Sequence, residues 1–207
     1  MTHELIQVTP LAGALGAEIS GVDMGQPLGN QLFQEVHDAL IENQVIFFRG
    51  QDISPDQHIA FARQFGSLQV HPLVPHLDDH PEVLILESKE DNRTSANVWH
   101  SDVTFSEEPP LGSVLLAREV PDHGGDTMWA DMYAAYDALS PAMKRYLEGM
   151  TAIHGAEGAR FEKTHDTDET RAGQVREEKK VIPPAEHPIG GAHRLMHRVT
   201  INGDRPV

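Results

Sequence analysis

The 207-residue chain contains no cysteine. Disulfide scaffolds, thiol catalysis and cysteine-ligated zinc or iron–sulfur centres are therefore excluded. Positive charge is scarce: 16 Lys and Arg stand against 32 Asp and Glu, a formal charge of −16. So acidic a chain does not suit the phosphate backbone of a nucleic acid, although a few local arginines can still dominate a pocket for one small anion. Long apolar runs are missing too. No stretch approaches the roughly 18 apolar residues of a membrane helix. Met1-Thr2-His3-Glu4 lacks the basic and then apolar layout of a secretion signal. The expectation is a soluble, cytoplasmic protein with neither a nucleic-acid nor a membrane partner.

What is present suits a single domain over 1–207, with a full core or a core plus a small extension; 39% of the residues are apolar. Residues 5–24 mix β-branched residues with glycines and predict a hairpin or meander. Leu32, Val36, Leu40 and Ile41 fall at helical spacing over 31–43. Val45-Ile46-Phe47-Phe48 then predicts a buried strand, stopped at Gly50. Ser54-Pro55-Asp56-Gln57 has the layout of a helix start: an N-cap, proline at the first helical position and a glutamine closing a capping box. That helix runs to about Gln64.

Further strands are expected at 83–86, through 99–105, at 112–120 and at 127–130, with two short helices near 132–138 and 141–149. Ser140 caps the second of these, ahead of Pro141. A strand over 150–154 and another over 194–201 complete the set. Residues 156–186 are charged and poor in apolar side chains, and predict a mobile lid or loop. The sum is an α+β protein, built on a β-sandwich or jelly roll with flanking helices. Trp99 and Trp129 read as core residues.

Thirteen histidines are many for this length, so a candidate ligand needs a positional reason. His100-Ser101-Asp102 supplies one. In an extended run, residues two apart face the same way, so His100 and Asp102 converge while Ser101 turns away. Two readings stay open at this level: a surface ion pair, or half of a metal site lacking a second histidine. Two histidines and one carboxylate on one face of a metal mark the non-haem Fe(II) oxygenases.

Three stretches in order are more specific than the pair alone: Trp99-His100-Ser101-Asp102-Val103-Thr104-Phe105, Gly124-Gly125-Asp126-Thr127-Met128-Trp129-Ala130, and Arg194-Leu195-Met196-His197-Arg198-Val199-Thr200. Together with Gly13-Ala14-Leu15-Gly16-Ala17, Ile19-Ser20-Gly21-Val22-Asp23 and His71-Pro72, they resemble the taurine dioxygenase family of Fe(II)- and 2-oxoglutarate-dependent oxygenases, which includes alkylsulfatases. The resemblance implies a double-stranded β-helix (jelly-roll) core with flanking helices. It implies Fe(II) held by His100 and Asp102, and 2-oxoglutarate as cosubstrate contacted by Thr127 and Arg194. A planar guanidinium suits the bidentate grip on the far carboxylate. His71 and Arg198 would face a small anionic organosulfur substrate, a sulfonate or sulfate ester, with O2 as the other reactant. The same motifs argue against a zinc hydrolase using His100 and Asp102.

The chain departs from the family pattern near Ile189-Gly190. His187-Pro188-Ile189 resembles the start of the family's late strands and Gly190 onward resembles their end, so the stretch that carries the second iron histidine, with several late strands, is expected to be missing there. An alternative follows: a catalytically impaired remnant that binds metal or an anion weakly. Open edges of an incomplete sheet favour association, so a homo-oligomer is expected.

Overall fold

The computed structural model describes residues 3–71, 74–87, 99–124 and 126–154, with the backbone of Ala185–Pro188 and His197–Asn202. In chain order the elements are β1 (Gln7–Pro10), β2 (Ala17–Ser20), α1 (Asn30–Asn43), β3 (Val45–Arg49), α2 (Pro55–Arg63), β4 (Gly112–Ala117), α3 (Met132–Asp137), α4 (Pro141–Leu147), β5 (Thr151–His154), β6 (Ala185–Pro188) and β7 (His197–Asn202). The chain divides into two compact units. One is formed by Met1–Gln69, Pro110–Glu148 and Gly190–Val207, the other by Val70–Pro109 and Gly149–Ile189.

The first unit is organised by a five-stranded sheet in the order β1-β2-β3-β7-β4. β1 and β2 form the expected hairpin; the other three pairings are parallel. β3 is central and buried along Val45, Ile46, Phe47 and Phe48, as a parallel strand covered on both faces must be. Strand alternation sorts these side chains. Ile46 and Phe48 enter the main core with Val36, Ala39 and Leu40 of α1 and Phe61 of α2. Phe47 points the other way and meets Trp129 edge to face, ring centroids 5.4 Å apart.

Local signals place the helices. The Ser54 side chain accepts from the Gln57 amide at 3.2 Å, and the Ser54 amide donates to Gln57 Oε1 at 2.8 Å, so the capping box forms as the sequence predicts. Ser140 caps α4 through the Met143 amide. Gly21 is indispensable to the turn after β2: its φ is +90°, and a Cβ there would lie 3.0 Å from the Leu5 carbonyl oxygen. Glu35 of α1 ties down the N-terminal segment by accepting from the amides of Glu4, Leu5 and Ile6.

Several expectations are corrected. Residues 83–86 make one bridge, His76 to Leu84, rather than a buried strand; Ile85 and Leu86 are exposed. Opposite them lies Pro75, which has no N–H to extend the ladder. Residues 99–105 form no strand, and 127–130 is irregular. Trp99 is 67% exposed and so is no core residue. β4 stops at Ala117, short of Val120. The lid expected at 156–186 lies outside the described residues except for Ala185 and Glu186, which open β6. Among the described residues the larger sheet is mostly parallel, whereas neighbours in a jelly roll run antiparallel.

Candidate metal centre

The second unit contains the His-x-Asp pair. The chain reaches it through a turn: the Ser106 amide donates to the Val103 carbonyl at 3.0 Å, and Val103 sits in the left-handed region at φ +56°. For an L-residue this costs about 1–2 kcal/mol, and a β-branched side chain there is a genuine outlier. The turn nevertheless brings the two side chains together. His100 Nε2 lies 3.0 Å from Asp102 Oδ1, with 57% and 32% of the side chains exposed.

That separation fits a shared metal. Two donors at right angles around a divalent ion, each about 2.1 Å from it, lie about 3.0 Å apart. An imidazole nitrogen and a carboxylate oxygen are also the donor types of the two-histidine, one-carboxylate iron site. With Nε2 protonated the same distance is a hydrogen bond. Among the described residues no third His, Asp or Glu joins them to make a metal cluster.

His71 belongs to the same surroundings. Its Nδ1 accepts from the Val74 amide at 3.2 Å, so the proton of the neutral ring sits on Nε2. The ring meets Phe105 edge to face, centroids 6.2 Å apart. Burial lowers the His71 pKa from its ordinary value and the Asp102 charge partly offsets this, so the ring is neutral at pH 7. Two residues to which the sequence assigns no role beyond their strands also meet: His154 Nδ1 on β5 lies 3.0 Å from Thr104 Oγ1. They are 50 positions apart, and no local pattern pairs them.

The remaining expected site residues belong to the first unit. Thr127 is exposed in the irregular stretch before α3, in the first unit. Arg198 lies on β7, its backbone paired with Val45 and Ser113; its side chain and all of Arg194 lie outside the described residues. Among the described residues, the lining of a cavity of about 500 Å3 in the first unit, between residues 24–28 and α2, has Asp56 as its one charged residue and includes none of the expected site residues.

A family model described as "Taurine catabolism dioxygenase TauD, TfdA family" matches residues 7–205. The chain belongs to the TauD/TfdA family. This TauD/TfdA chain is 40% identical over 153 residues to an alkylsulfatase of Acinetobacter baylyi, covering 73% of the chain and 48% of that protein. It is 35% identical over 192 residues to an alpha-ketoglutarate-dependent sulfate ester dioxygenase of Pseudomonas putida, covering 92% of the chain and 63% of the relative. The crystal structure of a taurine dioxygenase from Burkholderia xenovorans superposes with a TM-score of 0.65 at 30% identity, over 89% of this chain and 58% of that one. The TauD/TfdA chain thus spans about half to two thirds of the length of these relatives.

Proposed function

We propose that the chain is an Fe(II)- and 2-oxoglutarate-dependent dioxygenase that hydroxylates a small sulfonate or sulfate ester. The observation that carries the reading is the convergence of His100 Nε2 and Asp102 Oδ1 at 3.0 Å in a chain of the TauD/TfdA family. Bound iron, with 2-oxoglutarate and O2, supplies the oxidation, converting 2-oxoglutarate to succinate and CO2 as the substrate gains a hydroxyl. The protein supplies orientation and charge. His100 and Asp102 hold the metal; Thr127 and Arg194 bind 2-oxoglutarate; His71 and Arg198 bind the substrate anion. A neutral His71 with its proton on Nε2 offers a sulfate or sulfonate oxygen a hydrogen-bond donor. The core is that of the jelly-roll dioxygenases, lacking several late strands near 189/190. The whole of 1–207 acts as one dioxygenase-like domain in a cytoplasmic homo-oligomer, with no nucleic-acid or membrane partner; among the described residues no helix is long and apolar enough to cross a membrane.

The test is succinate release by the chain supplied with Fe(II), ascorbate, 2-oxoglutarate and either taurine or a short alkyl sulfate. Substrate-dependent succinate that disappears in His100→Ala supports the reading. No succinate, together with unchanged metal binding in His100→Ala, sinks it.

A second reading rests on the sequence near Ile189-Gly190, where the stretch with the family's second iron histidine is expected to be missing: a remnant of the family that binds metal or an anion weakly. Anaerobic titration with Fe(II) and 2-oxoglutarate separates the two. A complete chelate gives a weak visible charge-transfer band; a remnant gives none.

A further inference from the structure

We infer that His154 is a positioning residue for the metal-binding turn, acting through the Thr104 hydroxyl. The inference rests on the reading of His100 and Asp102 as ligands.

The turn that joins these ligands to the rest of the second unit is strained at Val103, φ +56°. Strain of this kind persists only where surrounding structure over-determines it. Within the turn there is one backbone tie, from the Ser106 amide to the Val103 carbonyl, and that bond does not fix where the turn sits. Among the described residues, two long-range contacts do. His71 packs edge-on against Phe105, and His154 Nδ1 meets Thr104 Oγ1 at 3.0 Å. The first is an apolar ring contact and tolerates sliding. The second is directional, and it grips the residue next to the strained one and two beyond Asp102.

His154 is suited to the task because its backbone is fixed. It lies on β5, which pairs antiparallel with β6, and His154 is matched with Ala185 in that ladder. The imidazole therefore reaches the turn from a strand. Side chains that orient metal ligands from behind typically change metal affinity 10–100-fold when removed.

Mn(II) binding to the full chain, followed by the electron paramagnetic resonance signal of the free ion, tests this. His154→Ala and Thr104→Val are each expected to weaken Mn(II) binding roughly tenfold, the double variant no further, and His154→Asn, which keeps a polar group near Nδ1, to stay within about threefold of the parent. A purely structural role would show as lost stability without rescue by asparagine and without non-additivity between the two sites. Parent-like binding in His154→Ala, while His100→Ala loses Mn(II), would overturn the inference and leave the ligand assignment standing. Parent-like binding in His100→Ala, or no binding by the parent, would instead remove the ligand assignment. The positioning is then judged on the metal-free chain by hydrogen exchange at the Ser106 amide: faster exchange in His154→Ala is expected, and unchanged exchange overturns it.

Discussion

β3 and the segment around Asp102 are built from similar residues and end in opposite states. Val45-Ile46-Phe47-Phe48 is a short apolar run, and so, more loosely, is Val103-Thr104-Phe105. The first has β2 on one side, β7 on the other and α1 and α2 across one face. It is buried throughout. The second, among the described residues, pairs with no strand and folds into a turn with a left-handed valine. Strand preference measures fit to a pleated, half-buried surface rather than an intrinsic backbone bias. Where neighbours supply that surface the run is a strand; where they do not, a hydrogen-bonded turn satisfies the backbone instead.

The comparison can be broken by substitution, because the two regions should fail in different measurements. The largest effect is expected in the first unit. Phe48 is fully buried against Phe61, and Phe48→Ala should cost about 3–5 kcal/mol in urea unfolding through the cavity it leaves. A loss under about 1 kcal/mol would mean the core collapses onto the gap. Next is the capping box of α2: Ser54→Ala removes the acceptor for the Gln57 amide and should cost about 1 kcal/mol.

A smaller, pH-dependent effect belongs to His58 of α2. Its Nε2 donates to the Val114 carbonyl of β4 at 3.0 Å. Burial lowers its pKa, the Val114 bond pulls it back up, and the Arg118 charge adds to the lowering. The unfolded chain then binds the proton more readily than the folded one, so stability rises with pH in this range. The contribution is fully present above the ordinary histidine value of 6.5 and is lost as pH falls through the lower folded value. Midpoints measured at pH 5 and pH 8 should differ in the parent and converge in His58→Gln, which keeps a donor. The smallest stability effect sharpens the contrast: His100→Ala, at a largely exposed side chain, should move the unfolding free energy by less than about 0.5 kcal/mol while abolishing metal binding.

The legible parts of the chain are those with short-range causes. The α2 capping box is closed by residues three apart. The β1–β2 hairpin turns at glycines that the sequence displays, and α4 starts at Ser140 as its proline requires. The strand expected at 83–86 failed because its partner segment carries Pro75, a fact of pairing rather than of the run itself. The pairing of His100 with Asp102 was anticipated through strand alternation and is achieved by a turn.

By itself the sequence determined the family, the helix starts at Ser54 and Ser140, and the β1–β2 hairpin. Tertiary structure alone decided that Val103 turns left-handed and that His154 meets Thr104 from 50 residues away. It also decided that β7 lies between β3 and β4. The reason is range. Caps and turns are set by neighbours along the chain, whereas a strained dihedral or a strand's partner is set by whatever distant segment is packed against it.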